Sequence, residues 1–420
     1  MMDYRVTIAL LLGAVVLAAC AAPAARRALR PAHGADLAEA GQRVVGYYPG
    51  WTSEGRKPYE VADIPAERLT HLNYAFANVS EEAGQIMLGY PHLDTDRIYP
   101  GDGDGRLSFE GNFNQLLRLK DRHPHLKTLI SVGGWTWSGN FSAAAETEEK
   151  RGRFAQSCAA FAARYGFDGV DVDWEYPASA GLQEGNPRDT RNFTLLLAEL
   201  RRALDEQGER DGTRYLLTIA APGGVAKAQV MELDQIHKYL DFINVMCYDF
   251  AGSWSPATNF NAPLYATTSP LQPQDELSLS ANAHDAMQAY LDGGVPAGKL
   301  VLGVPFGGKS WKGVGPDNDG LYQPHEGGAR FRTRYKDLVA ADFHGLDPRW
   351  HEEAQVPWLY DADQGIMACY EDPRSMRAKG AYVRQHGLGG VMFWQITGDD
   401  EESTLLRALT EGLVGADPGE

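Results

Sequence analysis

Apolar residues in this chain gather into short, nearly continuous runs, and longer stretches with a helical repeat separate them. Runs rich in β-branched and aromatic residues are typical of parallel strands that are covered on both faces. Eight runs are predicted as strands: Val44–Tyr48, His71–Asn78, Thr128–Val132, Gly169–Trp174, Leu216–Ala221, Phe242–Tyr248, Leu300–Pro305 and Gly390–Trp394.

Helical periodicity fills several of the gaps between these runs. Apolar residues recur at helical spacing from Phe154 to Tyr165 and again from Phe193 to Leu204. Eight strands with interleaved helices predict an α/β fold, a (β/α)8 TIM barrel. A doubly wound open sheet is the alternative, but no GxGxxG follows the first strand.

The interval between the seventh and eighth strands is too long for a barrel loop. An amphipathic helix at about Asp372–Gln385 fills only its last part, and Tyr335–Val339 and Trp358–Tyr360 look like short strands. A structureless loop of this length is unusual in a folded domain. We therefore predict a small α+β insertion over 312–367, within a barrel that comprises 42–311 and 368–414.

The N-terminal segment has the pattern of an export signal. Its apolar run from Val6 to Leu17 is too short to span a bilayer. The stretch Leu17-Ala-Ala-Cys20 resembles a bacterial lipobox, in which Cys20 would become the lipidated N-terminus. We predict a signal peptide over 1–20, an Ala/Pro-rich tether over 21–41, and an exported lipoprotein of the outer membrane or cell surface. Plain secretion is the alternative.

Composition narrows the class of ligand. The 420 residues carry 39 basic and 56 acidic side chains, a formal net charge of −17. This charge disfavours nucleic acid and favours neutral or cationic ligands. The cysteines, at positions 20, 158, 247 and 369, are too scattered for a disulfide scaffold or a zinc site, and no HExxH or carboxylate–His cluster appears. We expect no metal, no cofactor and a monomer.

The segment Phe167–Pro177 carries the chemistry. Asp171, Asp173 and Glu175 alternate with apolar residues, so on a strand they would point to one face, about 6.5–7 Å apart. Repulsion between like charges makes ionisation of all three carboxyl groups unfavourable at this distance, so at least one should keep a proton near neutral pH. Such an acid at the C-terminal mouth of a barrel suits cleavage of a glycosidic bond. A calcium loop is disfavoured, because Tyr176 stands where an EF-hand needs Gly.

The same segment resembles the signature DGxDxDWEYP of the family 18 glycoside hydrolases, the chitinase family, which Asp168–Pro177 matches without a gap. Three further family motifs follow the order of the strands: SxGGW at Ser131–Trp135, MxYD at Met246–Asp249, and Trp394 closing the eighth strand. The family's inserted α+β domain before the last strand matches the long interval. The resemblance implies a chitinase that hydrolyses β-1,4 links between N-acetylglucosamine units of chitin and chito-oligosaccharides.

The resemblance also implies a retaining mechanism in which the substrate supplies the nucleophile, an exception to the two-carboxylate scheme. Glu175 would be the acid and then the base for water. Asp173 would turn between Asp171 and the acetamido group, Tyr248 would donate a hydrogen bond to that group, and Trp394 would form the floor under the sugar. Residues matching family positions that line the cleft are Tyr47, Phe76, Gly134, Trp135, Tyr176, Met246, Asp249 and Trp254.

Three positions depart from the family pattern. Gly307 stands where the family commonly has Tyr, and Lys309 replaces Arg, exchanging a planar five-donor group for a point charge. Gln395 stands where Glu is frequent. We interpret none of these as inactivating. The alternative functions are a chitin-binding lectin, which typically lacks the acid that Glu175 supplies, and an endo-β-N-acetylglucosaminidase acting on N-glycans, against which the tryptophan-rich mouth argues.

Overall fold

A computed structural model describes residues 33–100, 102, 108–273 and 276–415. The predicted signal peptide with Cys20, and the tether as far as residue 32, lie outside the described residues. The strands of the described chain are β1 (Arg43–Pro49), β2 (His71–Val79), β3 (Ile86–Met87), β4 (Lys127–Gly133), β5 (Gly169–Asp173), β6 (Leu216–Pro222), β7 (Phe242–Met246), β8 (Leu300–Pro305), β9 (Lys309–Lys312), β10 (Arg349–His351), β11 (Val356–Asp361), β12 (Ile366–Cys369) and β13 (Gly390–Trp394).

Eight of these strands form a closed parallel barrel. Their order is β1-β13-β8-β7-β6-β5-β4-β2, and β2 pairs back to β1. The eight predicted runs become these strands with ends that differ by at most two residues, so the TIM-barrel prediction is confirmed. The largest difference is at β7, which ends at Met246, because the chain leaves the sheet and Asp249 adopts a φ of +58°.

Helices surround the barrel. They are α1 (Gly34–Glu39), α2 (Gly111–Arg122), α3 (Phe141–Ala145), α4 (Glu148–Tyr165), α5 (Asp189–Asp211), α6 (Val225–Gln229), α7 (Leu233–Ile236), α8 (Glu276–Leu279), α9 (Ala283–Asp292), α10 (Tyr335–Ala340), α11 (Pro373–Gln385) and α12 (Thr404–Val414). Helix α4 shows why they form where they do: the Thr147 side chain accepts a hydrogen bond from the N–H of Lys150, and Gly166 closes the helix in a left-handed conformation.

The main core lies between strands and helices. Val170, Val172 and Trp174 point outward from β5 into this layer, as the alternation predicts. A second, smaller core lies inside the barrel, where Val45, Met392 and other residues pack beneath the mouth. The polar face of β5 is therefore directed inward, towards that mouth.

A second sheet lies in the interval between β8 and β13. Its antiparallel strands follow the order β10-β11-β12-β9, and Trp311 and Met367 pack in its core. The predicted strand at Tyr335–Val339 is wrong, because this segment belongs to helix α10. Tyr335 and Leu338, three residues apart, are buried on one face, whereas Val339 is 41% exposed, a pattern that fits a helix turn.

Three features complete the described chain. Gly34–Glu39, at the end of the predicted tether, forms helix α1 with Leu37 buried. Among the described residues, no helix is long and apolar enough to cross a membrane. In the same part of the chain, no group of three or more His, Cys, Asp or Glu side chains is placed to hold a metal ion.

Candidate active site

Asp171 lies inside the barrel on β5 and is fully buried. Its carboxylate accepts hydrogen bonds from side chains on four other strands: Tyr47 (2.7 Å), Ser131 (2.7 Å), Thr218 (2.6 Å) and Asn244 (3.4 Å). Burial raises the pKa of Asp171, and these hydrogen bonds oppose the rise. A carboxylate held by four donors has a fixed position, so a neighbouring carboxyl group can turn towards it or away from it while Asp171 stays in place.

Asp173, the last residue of β5, is also buried, but its Oδ1 has no hydrogen-bond partner among the described residues. Buried polar atoms are nearly always paired, so an open carboxyl oxygen at the mouth of a barrel points to a partner that arrives with a ligand. Burial raises the pKa of Asp173 well above its ordinary value, and the charges of Glu175 and Asp171 add to the rise. Burial and these charges therefore favour the protonated form of Asp173, which can donate a hydrogen bond.

Glu175 lies two residues beyond the end of β5, partly buried at the mouth. Burial raises the pKa of Glu175 to about 7; the Tyr176 hydroxyl and Lys227 oppose the rise, and Asp249 adds to it. A carboxyl group with this pKa can both hold and release a proton near neutral pH, which is what general acid–base catalysis requires.

The loop after β4 fixes the backbone around these carboxyl groups. Gly133 has a φ of +107°, and a Cβ there would lie 2.4 Å from the carbonyl oxygen of Asp173. The N–H of Gly134 donates to the same oxygen at 2.7 Å. Ser138 Oγ accepts a hydrogen bond from the N–H of Glu175 at 2.9 Å and donates to the Gly134 carbonyl, also at 2.9 Å. Gly133 is thus required by close backbone approach, a Cβ at Gly134 would meet the ring of Phe76 at 2.7 Å, and Ser138 positions the backbone of Glu175.

The segment after β7 contributes a neutral donor and an ion pair. Burial raises the pKa of Tyr248 well above its ordinary value, and the charges of Asp173, Asp249 and Glu175 act in the same direction. The Tyr248 hydroxyl therefore keeps its proton. Asp249 lies at the rim and forms an ion pair with Lys309 at 2.8 Å. Met246, at the end of β7, is buried beneath them.

Trp394, at the end of β13, is surrounded by other rings. Phe76 stacks against it with centroids 5.8 Å apart, and Tyr47 meets it edge-on at 5.9 Å. Flat apolar surfaces of this kind match the C–H faces of sugar rings. The structure brings Trp394, Phe76 and Tyr47 to the same mouth as the carboxyl groups.

The ring contacts continue beyond the residues that the sequence predicts. Trp51 lies 6.1 Å from Phe76, Tyr90 lies 5.9 Å from Trp51, and Trp137 lies 5.2 Å from Tyr90. Sequence reasoning missed Trp51, Tyr90 and Trp137. The signal was available for Trp137, because it stands within the segment that continues the SxGGW motif, and for Trp51, because it follows the end of β1.

Two further predicted tryptophans are exposed at the rim. Trp135 is 46% exposed and lies 6.5 Å from the Tyr176 ring. Trp254 is 62% exposed, and the Lys309 ammonium group lies 5.3 Å from its ring centroid. Large exposed aromatic groups beside a cleft are typical of ligand-binding surfaces.

The position of Gly307 forms part of a pocket of about 160 Å³. A Cβ at Gly307 would meet Arg334 Cγ at 3.7 Å and the Thr333 carbonyl oxygen at 3.9 Å, which are ordinary contact distances. The space that an aromatic side chain would fill here is therefore bordered by the long interval between β8 and β13. The lining residues are Tyr248, Asp249, Asn261, Pro305, Phe306, Gly307, Gly308, Lys309, Thr333, Arg334, Trp394, Gln395 and Gly398.

Sequence reasoning also missed the partners of the carboxyl groups. Thr218 and Asn244 are single polar residues inside the apolar strands β6 and β7. A polar side chain in a buried strand needs a buried partner, and this signal could have identified both. Nothing in the local sequence marks Lys227, which reaches the Tyr176 ring from helix α6.

A buried row of carboxyl groups, one with a pKa near 7, beside a floor of aromatic rings is the combination that a glycosidase requires. Residues 43–399 match the family described as glycosyl hydrolases family 18. Chitinase A1 of Niallia circulans is 40% identical over 92% of this chain and 60% of its own length. Chitinase 1 of Aphanocladium album is 35% identical over 88% of this chain and 85% of its own length.

Solved structures agree with these sequence matches. Chitinase ChiA74 from Bacillus thuringiensis has a TM-score of 0.81 and 38% identity, covering 90% of this chain and 70% of that protein. The chain therefore belongs to family 18 of the glycosyl hydrolases, and its barrel is that of a chitinase. The names of these relatives do not favour the lectin or the N-glycan hydrolase as alternatives.

Proposed function

We propose that this barrel hydrolyses β-1,4 links between N-acetylglucosamine units of chitin and chito-oligosaccharides, with retention of configuration and with the acetamido group of the sugar as nucleophile. The observation that carries the proposal is the buried, unpartnered Oδ1 of Asp173 between Asp171 and Glu175. No protein nucleophile is required if Asp173 orients a group that belongs to the substrate.

Glu175 acts first as an acid. Its pKa of about 7 leaves the carboxyl group protonated in mildly acidic solution, and it donates this proton to the glycosidic oxygen as the bond to the anomeric carbon breaks. The acetamido oxygen attacks the same carbon and forms an oxazolinium ion. Glu175, now a carboxylate, then takes a proton from the water that opens this ring.

Asp173 and Tyr248 hold the acetamido group. Protonated Asp173 turns from the carboxylate of Asp171 to donate a hydrogen bond to the acetamido group, and the negative charge of Asp171 behind it stabilises the positive charge that develops. The neutral Tyr248 hydroxyl donates to the acetamido oxygen. Asp171, held by four donors, stays in place throughout.

The rings of the mouth bind the sugars. Trp394 forms the floor under the reacting sugar, and Phe76, Tyr47 and Tyr176 border it. The residues proposed to contact the rest of the chain are Gly134, Trp135, Met246, Asp249 and Trp254. The insertion, proposed over 312–367, forms one wall of the cleft through Thr333 and Arg334.

Cleavage of partly acetylated chitosan tests the mechanism. If the acetamido group is the nucleophile, a glucosamine unit cannot react, so every new reducing end should be N-acetylglucosamine. The identity of the reducing ends is read by mass spectrometry after labelling. Frequent glucosamine at these ends would contradict the mechanism and point to a nucleophile from the protein.

We also propose that the enzyme is exported, acts as a monomer and is anchored through a lipid on Cys20. The lipobox-like Leu17–Cys20 supports the anchor. The Cys20→Ala variant should be released from the membrane fraction or keep its signal peptide, whereas the wild type should pellet with the membranes. Equal membrane-bound activity for both would leave plain secretion as the better proposal.

A further inference from the structure

One cation next to the acid takes no part in the mechanism above. Lys227 lies on α6, shortly after β6, and its Nζ is 3.8 Å from the centroid of the Tyr176 ring. Tyr176 directly follows Glu175 in the chain. Lys309, another lysine of the cleft, forms an ion pair with Asp249 at 2.8 Å. The ring that faces Lys227 attracts a cation through its π electrons but carries no compensating full charge.

The charge of Lys227 is least compensated when the enzyme is ready to react. Burial lowers the pKa of Lys227, and the charge of Glu175 opposes this fall. Lys227 in turn lowers the pKa of Glu175, so each group favours the charged form of the other. When Glu175 carries the proton that it will donate, this compensation disappears. Lys227 then presents a positive charge beside the acid at the moment when the leaving group is in place.

The topology puts Lys227 away from the floor of the reacting sugar. Trp394 ends β13, whereas Lys227 follows β6, and β7 and β8 lie between those strands in the barrel. The rings in contact with Trp394 come from the side of β1 and β2. A leaving group that extends from a sugar on Trp394 past Glu175 would therefore meet Tyr176 and Lys227.

We propose that Lys227 is a specificity residue for the leaving group: its ammonium disfavours a cationic, deacetylated glucosamine as the first sugar of the leaving group, relative to neutral N-acetylglucosamine. This inference rests on the proposed function, because it needs a glycosidic substrate that crosses the mouth from Trp394. Two like charges several ångströms apart in a partly buried site should give a discrimination of roughly three- to tenfold.

The experiment uses partly acetylated chitosan at about pH 5.5, where a sugar amine is protonated. The fraction of glucosamine at the new non-reducing ends is measured for the full-length wild type and four variants. Lys227→Met removes the charge and keeps the length of the stem, Lys227→Arg keeps the charge, and Lys227→Glu reverses it. Lys238→Met, at an exposed site on the outside of the barrel, controls for the change in net charge.

We expect glucosamine at the new non-reducing ends to rise roughly three- to tenfold in Lys227→Met and further in Lys227→Glu. It should stay at the wild-type level in Lys227→Arg and Lys238→Met. Raising the salt to about 1 M should reduce the difference between wild type and Lys227→Met, since salt screens charges. The measurement is a ratio within one digest, so a change in overall rate does not affect it.

Equal fractions in the wild type, Lys227→Met and Lys227→Glu would overturn the inference. So would a rise in Lys227→Arg equal to that in Lys227→Met, because a lost contact rather than a lost charge would then explain it. The proposed mechanism is judged from the opposite product end. Glucosamine at new reducing ends contradicts the mechanism, whereas an unselective non-reducing end contradicts only the role of Lys227.

Discussion

On the side of β13, β1 and β2, the groups that face the cleft are rings in contact with one another, from Trp394 through Phe76 to Trp51. On the side of β6, β7 and the second sheet, charged groups occupy the rim, among them Lys227 and the ion pair of Asp249 with Lys309. Ring contacts supply affinity that is insensitive to salt, whereas charges discriminate between ligands of different charge. We therefore expect the first side to hold the reacting sugar and the second side to select the leaving group.

The largest effect should come from the acid between these two sides. Glu175→Gln should lower turnover on chito-oligosaccharides at least ~100-fold, because general acid–base help is lost. Binding should persist, since the rings are unchanged, and calorimetry with the inactive variant measures it directly. A variant with turnover close to that of the wild type would show that the proton comes from elsewhere.

The same variant has a second readout in stability. The pKa of Glu175 rises on folding from an ordinary 4.5 to about 7, so the folded protein binds the extra proton. The contribution of Glu175 to stability is present below about pH 4.5 and is lost as the pH rises through 7. The melting temperature of Glu175→Gln should therefore rise relative to that of the wild type as the pH increases from 5 to 8.

The next largest effect, on oligosaccharide affinity, should come from removing one aromatic ring from each side of the cleft. Trp394→Ala should weaken binding of oligosaccharides by about 1.5 kcal/mol, roughly tenfold, because the floor under the reacting sugar is lost. Trp254→Ala is the matched control on the charged side, where the ring is 62% exposed, and it should cost less. Michaelis constants and calorimetric affinities of both variants measure the difference, and equal losses would remove the contrast between the two sides.

The pH profile sharpens the contrast from the charged side. The value of kcat/KM should fall as the pH rises through about 7, since Glu175 must be protonated. Lys227 lowers the pKa of Glu175, whereas Asp249 raises it. Lys227→Met should therefore move the alkaline limb to higher pH, and Lys238→Met should leave it in place. An alkaline limb that does not move would mean that Lys227 and Glu175 are uncoupled.

The smallest effect is expected at Gly307. A Cβ there meets Arg334 only at ordinary contact distances, so Gly307→Tyr should fit without a change in melting temperature. The added ring should improve affinity by about 1 kcal/mol, roughly fivefold, and lower the Michaelis constant. Gly307→Ala controls for the backbone. Joint loss of stability and activity would show that Arg334 and its neighbours already fill the space.

The parts of the fold that could be predicted from the sequence are those in which burial alone decides the structure. The apolar runs of the barrel are buried on both faces, so they identify their strands with little error at the ends. Tyr335–Ala340 is different, because a segment of only six residues with a few apolar positions fits either a strand or a short helix. Only its packing against the second sheet, where Leu338 is buried, decides between them.

The residues of the site likewise fall into those that the sequence pattern predicts and those that it does not. The carboxyl groups of β5 belong to one segment, so their alternation is visible in the sequence. Lys227 and Tyr176 lie far apart in the chain and meet through the loop after β6, and no periodicity reports that contact. Tyr90 reaches the cleft from a segment between β3 and α2, with an irregular backbone whose course the sequence pattern does not predict.

The three cysteines of the described chain are free and buried. They lie in different layers: Cys158 on the outer helix α4, Cys247 just beyond β7, and Cys369 at the end of β12 in the second sheet. A thiol reagent can reach each one only when its own layer opens. The labelling rates of the three thiols would therefore report the opening of each layer separately. They would show whether the barrel, the outer helices and the second sheet unfold together or in sequence.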